Sequence, residues 1–171
     1  MLARLDRISD FVGRCVAWLT LLMVVNTVFV IVGRDLFGFG RIWMQELTTW
    51  MHAAVFLLGA AYTLRHDEHV RVDVFYGRLS HVRKAWVDLI GTLVLLAPVC
   101  IVILLQSWDY VFGPRGSWAS VETSSQAGGL PFPAYPLLKS FMLLMPALLL
   151  LQGAVNAARA WSTIRNKDAA T

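Results

Sequence analysis

Charge is what this sequence has least of. Only 15% of its 171 residues are Asp, Glu, Lys or Arg, and 57% are hydrophobic. A soluble domain carries about 25% charged residues, so a membrane class is indicated before any segment is located. The scarcity is uneven. Residues 15–33, 47–64, 89–108 and 140–158 contain no Asp, Glu, Lys or Arg, and these runs are 19, 18, 20 and 19 residues long. An apolar helix needs roughly 20 residues, with about 17 as the lower limit, to cross the hydrocarbon core. Four transmembrane helices follow, over approximately 11–33, 42–64, 87–108 and 137–158, in a single all-α membrane domain spanning residues 1–171 with no room for a separate soluble one.

Cysteine is nearly absent too. Cys15 and Cys100 fall at different depths of predicted helices and no CxxC pair is present, which argues against a disulfide framework or a thiolate metal site. Both read as small packing residues. Acids are missing from the middle of every span, and no helix is broken by glycines as expected around an ion site. His52 is the one ionisable side chain well inside a span. A haem would want a second histidine at similar depth, and none is available. A neutral His52, hydrogen-bonded to another helix or subunit, is the favoured reading.

The net charge of +4 does not point to nucleic acid, because the basic residues are sorted by side. Arg4, Arg7, Arg14, Arg65, Arg71, Arg78, Arg83, Lys84, Arg159, Arg165 and Lys167 fall at the termini and the middle loop. Arg34, Arg41, Arg115 and Lys139 fall on the other side. The positive-inside rule places both termini and the middle loop in the cytoplasm. The first apolar run is too long for a cleaved signal and has no small-x-small site before Gly33, so an uncleaved anchor is expected.

Residues 1–13 set Leu2, Leu5, Ile8 and Val12 opposite Arg4, Arg7 and Asp10. This is either a short amphipathic helix in the cytoplasmic interface or the helical start of the first span. The second span carries the least oily face. At 100° per residue, Gln45, Thr48, Thr49, His52, Gly59 and Thr63 share one sector, with Phe56 its large apolar member. That stripe is expected to pack on protein, either a partner subunit or a neighbouring span. Glu46 lies near the outer headgroups, where it is expected to pair with Arg34 or Arg41. His66 and His69, with Asp67 and Glu68 between them, cannot all turn toward one ion, and no further ligand cluster completes a set. They read as a solvated helix end.

Beyond residue 73, Phe75, Leu79, Val82, Trp86 and Ile90 recur at helical spacing, flanked by Arg78 and Arg83. The pattern predicts an interfacial helix over approximately 72–87, with Phe75, Arg78, Leu79, Arg83 and Trp86 as anchors to membrane lipid. The same face could equally dock a partner's loop. Pro98 and Pro146 are expected to bend the third and fourth spans. Lys139 at the outer end of the fourth is expected to snorkel upward. The outer loop, 110–136, is too long for a simple connection. Its Arg115, Trp118 and Glu122 suit a contact surface for an extracytoplasmic partner.

Several of these residues together resemble a known family. The series Arg34, Trp43-x-x-Glu46, Gly59-Ala60-Ala61 and Arg65-x-x-x-His69-Val70-x-Val72-Asp73 is similar to the small membrane subunit (DctQ-like) of tripartite ATP-independent periplasmic (TRAP) transporters. Glu122-Thr123-Ser124, Gly129-Leu130-Pro131 and Gln152-Gly153 are similar to that family's outer loop and last helix. The likeness covers roughly residues 10–158. Gln45 departs from it, standing where members often carry a second acid before the Glu. The resemblance implies a bacterial inner-membrane complex with a periplasmic substrate-binding protein and a large transmembrane permease subunit. It implies sodium-driven import of an organic acid, with substrate and sodium bound by the large subunit. This chain would then be a non-catalytic scaffold without catalytic, substrate-binding or metal residues and without a cofactor. Two other readings are a small self-sufficient exporter, which would want an acid deep in the first span, and a membrane anchor subunit of a redox enzyme.

Overall fold

A computed structural model of the chain describes residues 2–66, 76–77 and 79–168, with side chains described from Asp6 to Asn166 within those ranges. Four long helices make up almost all of it. They are α1 (Leu2–Phe37), α2 (Ile42–Arg65), α3 (His81–Phe112) and α4 (Ala134–Asp168). Each contains an apolar window long enough to cross a bilayer. At 1.5 Å per residue α2 is about 36 Å long and α1 about 54 Å, so α1, α3 and α4 all overrun a hydrocarbon core of roughly 30 Å.

The helices do not close into a bundle. α2 and α4 form the central pair, α1 packs along α2, and α3 packs along α4. Only 6% of the residues in the most apolar window of α1 are buried, 11% in α3 and 33% in α4. In water such exposure would be prohibitive, but lipid tails are as apolar as the side chains. Seams are drawn where small residues permit close approach. A Cβ on Gly13 of α1 would lie 2.2 Å from the Tyr62 ring of α2. A Cβ on Gly153 of α4 would lie 2.8 Å from Leu96 and 3.2 Å from Thr92 of α3. Higher up the α1–α2 seam, the Asn26 amide donates to the Met44 carbonyl and to Thr48 Oγ1, both at 2.8 Å. It satisfies inside the chain the polar group that a span could not leave facing lipid.

α1 is unbroken from Leu2, so its amphipathic start is the beginning of the span's own helix. The predicted interfacial helix falls partly outside the described residues, which do not include Phe75 or Arg78. From His81 the chain is already in α3, with no break at Val87. The reason is packing. Ala85 and Leu89 form a buried cluster with Ala160 and Ile164 of α4, joined by Val82. That contact holds this segment alongside α4. Arg83 and Trp86 remain exposed on its other side, and Leu79 is half-buried ahead of it. At Gly91–Leu96 α3 widens into a π-helical turn before continuing as α-helix over Ala97–Phe112. Pro98 has no N–H for the carbonyl four residues back, and a widened turn just before it accommodates that loss. Pro146 sits fully buried inside α4.

Candidate functional site

Three places concentrate polar chemistry: the outer loop, the exposed face of α2, and the cytoplasmic ends of α1, α2 and α4. In the outer loop, Glu46 does not pair with Arg34 or Arg41. Among the described residues Arg34 instead meets Asp35, at 3.1 Å. The Glu46 carboxylate turns up toward the loop, where it accepts the Leu130 N–H at 2.6 Å and a short bond from the Ser124 hydroxyl. The Trp43 N–H donates to the Gly128 carbonyl at 3.3 Å. Gly128 has φ 81°, a conformation that suits a residue without Cβ. A Cβ on Gly129 would fall 2.6 Å from Glu46 Oε2. The start of α2 thus clamps residues 124–130.

A second clamp joins the loop to α4. Lys139 Nζ lies 2.7 and 2.6 Å from the two oxygens of Glu122, and 4.2 Å from the centroid of the Tyr110 ring. Lys139 is therefore turned into the loop rather than up toward the headgroups. Ser117 Oγ also donates to Glu122, at 2.6 Å. The Lys139 bonds first, and the Ser117 bond second, hold the Glu122 carboxyl below its ordinary value against an opposing desolvation. Trp118 is half-buried, its Nε1 donating to Ser140 Oγ at 3.0 Å and its ring edge-on to Phe132 at 6.0 Å. Trp118 and Glu122, expected on the contact surface, are half-buried and bonded within the loop's own framework. Aromatic and acid in a long loop look the same in sequence whether they face in or out. Arg115 is exposed, as are Ala119, Val121, Thr123 and residues 125–128. Val121 holds φ 51° while 57% exposed, a left-handed conformation that costs a β-branched residue roughly 1–2 kcal/mol.

The polar stripe of α2 divides in two. Thr48 and Gly59 lie in the seam with α1, Gly59 next to Val16 and Thr48 bonded to Asn26. Thr63 is half-buried and donates to the Ala60 carbonyl at 2.8 Å. Gln45, Thr49, His52 and Phe56 are exposed along the open side of α2. Beside them a shallow cavity of about 220 Å³ opens between α1 and α2, lined by Thr27, Val30, Ile31, Gln45, Thr48 and Thr49.

The third cluster was not legible as a site. Asp6 and Ser9 of α1 and Gln152 of α4 are all buried. Ser9 Oγ donates to Gln152 Oε1 at 2.8 Å, and Gln152 Nε2 donates to Asp6 at 3.3 Å and to Asn156 Oδ1 at 3.2 Å. Arg159 forms a short pair with Asp6. Arg65 of α2 donates to the Asp6 carbonyl at 2.7 Å and pairs closely with Asp10. Nothing periodic marks residues so far apart in the chain, and only the pairing of lone charges at span ends could have suggested them. Among the described residues no group of three or more His, Cys, Asp or Glu side chains could hold a metal ion. His66 lies in this region, whereas Asp67, Glu68 and His69 lie outside the described residues.

The clusters tie helices and loop together and leave one polar face uncovered, in a four-span chain without a convergent set of reactive groups among the described residues. Comparison with known proteins agrees in kind. No curated protein and no solved structure matches. Residues 22–163 match the family described as tripartite ATP-independent periplasmic transporters, DctQ component. The chain belongs to that family, as the small permease component of a multi-pass membrane transporter.

Proposed function

We propose that the chain is a non-catalytic scaffold subunit of a sodium-driven importer in the bacterial inner membrane. It packs against the large permease subunit, which binds sodium and an organic acid delivered by a periplasmic binding protein. The observation that carries this reading is the open side of α2. Gln45, Thr49 and His52 are exposed on a membrane span, where polar groups facing lipid are costly and ordinarily face protein. The neighbouring cavity between α1 and α2, lined by Thr27, Val30, Ile31, Gln45, Thr48 and Thr49, adjoins that face.

The outer loop supports the other contact. Its framework is fixed by Glu46, Glu122 and Trp118, which leaves Arg115 and the strained, exposed Val121 to meet the binding protein. Backbone strain at an exposed position is typical of binding loops.

The test is sodium-driven uptake in liposomes carrying the large subunit and the binding protein, with and without this chain. Loss of uptake without it is expected, and full uptake would sink the scaffold role. Thr49→Trp should separately abolish co-purification with the large subunit while leaving this chain folded. Unchanged co-purification would move the interface elsewhere.

A further inference from the structure

The cytoplasmic end of α1 carries a stripe that neither the α2 face nor the outer loop involves. Arg7, Phe11, Arg14 and Trp18 recur at spacings of 4, 3 and 4 and are all exposed, Phe11 at 70% and Trp18 at 69%. At 100° per residue they fall within a sector of about 60°. Gly13 and Val16, which meet Tyr62 and Gly59 of α2, lie on the opposite side of the helix. The stripe therefore looks outward from the rim of the protein.

Its charges are unspent. Arg65 and Arg159, the neighbouring basic residues, are paired with Asp6 and Asp10. Among the described residues no carboxylate pairs with Arg7 or Arg14. The depth is right for headgroups. Counting back roughly 20 residues from the outer end of the span near Gly33 sets Arg14 at the inner edge of the hydrocarbon. Arg7 lies about 10 Å further into the interface. Trp18, one turn inside Arg14, occupies the aromatic belt.

Beyond Trp18 the same side continues as Leu21, Leu22, Val25, Phe29 and Val32, all exposed. No polar atom interrupts it. This contrasts with the open side of α2, where Gln45, Thr49 and His52 ask for a protein partner. Two free guanidiniums above an unbroken apolar stripe match the two ends of one kind of molecule.

We infer that the outward stripe of α1 is a binding site for an anionic phospholipid of the cytoplasmic leaflet. Arg7 and Arg14 hold the phosphate-bearing headgroup, Phe11 and Trp18 pack on the glycerol region, and the acyl chains run along Leu22, Val25 and Phe29.

The full chain is reconstituted in phosphatidylcholine nanodiscs containing a minor fraction of tail-brominated phosphatidylglycerol or tail-brominated phosphatidylcholine. The fluorescence of Trp18 is obtained by difference from Trp18→Phe. Brominated phosphatidylglycerol should quench it in preference to brominated phosphatidylcholine. Arg7→Gln and Arg14→Gln should each weaken that preference about fivefold, and the pair about thirtyfold. The double Lys variant should retain it.

Equal quenching by the two lipids, or a preference that survives the double Gln variant, overturns the inference. So does escape of Trp18 from both lipids when the large subunit is bound, which would make the stripe a protein contact. Should the double Gln variant lose its helical circular dichroism, the wild-type chain decides the matter by salt. The preference should fall as ionic strength rises, and an unchanged preference overturns the site.

Discussion

Replacing Asp6 by Ala should destabilise the chain by about 2–3 kcal/mol, and the figure follows from what each partner keeps. Arg159 is half exposed, so it returns largely to water and its pair is worth about 0.5–1 kcal/mol. Gln152 loses a long bond of 3.3 Å but keeps Asn156, a loss of about 0.5–1 kcal/mol. Arg65 loses a carboxylate contact at 3.7 Å, yet keeps the backbone carbonyl of residue 6 and Asp10, at about 1 kcal/mol. Breaking a buried pair so that a charge is stranded costs 3–5 kcal/mol. The total should fall below that range because no charge here is stranded. Asp6→Asn preserves an acceptor for Gln152 and should cost about 1–2 kcal/mol. Reversible unfolding in mixed micelles, titrated with a denaturing detergent and followed by circular dichroism, measures both. A double-mutant cycle with Arg159→Ala should return a coupling of about 0.5–1 kcal/mol. A cost for Asp6→Ala above about 4 kcal/mol would mean that a charge is stranded after all. A cost near zero would mean the network is not formed.

Trp118→Ala should destabilise the outer loop by about 3–5 kcal/mol through loss of ring packing and the Ser140 bond, seen as faster proteolysis of the loop. Arg115→Ala should leave proteolysis unchanged and weaken uptake that depends on the binding protein; the opposite pairing would return Trp118 to the contact surface. The Glu122 carboxyl titrates below its ordinary value of 4.5, so its stabilisation is complete above that value and is lost as pH falls through the lower, folded one. Hydrogen exchange of residues 117–122, corrected for intrinsic rates, should stay flat from neutral pH to about pH 5 and rise below 4.5; Glu122→Gln should remove that dependence there, and an unchanged acid response would assign it to the other carboxylate bonded to the loop, Glu46. Asn26→Leu should cost about 0.6–1.7 kcal/mol, the range of interhelical hydrogen bonds within membranes, and an increase in stability would show that lipid-facing packing outweighs the bond to Met44.

The spans and their order were legible because a bilayer imposes length and apolarity on each helix independently, residue run by residue run. The side on which α2 is polar was legible for the same local reason. What was not legible depended on distance along the chain. Glu46 had two arginines nearby in sequence, and a pair with either is the natural expectation. The carboxylate instead found the hydroxyl of Ser124 and the amide of Leu130, because the outer loop folds back over the start of α2. Lys139 likewise found Glu122 rather than the headgroups. The apolar stripe through Val82, Trp86 and Ile90 suggested a helix separate from the third span, whereas one helix runs over His81–Phe112. Trp86 and Ile90 stay exposed on it, and the packing on α4 is made by Ala85 and Leu89 against Ala160 and Ile164, residues that periodicity of the large apolar side chains did not mark.

An open arrangement of helices, most of whose apolar surface this chain leaves uncovered, divides its residues by whom they answer to. Those at the seams, such as Gly13, Asn26 and Gly153, answer to this polypeptide, and their tolerated replacements are set by neighbours encoded in the same gene. Those on the open sides answer to lipids and, on the function proposed above, to a second polypeptide. Substitutions there can be silent when the chain is isolated and severe when it is assembled, and a compensating change belongs in the other protein. Deep mutational scans of the chain alone and of the complex should therefore disagree mainly on the open side of α2, and the map of that disagreement would trace the interface directly.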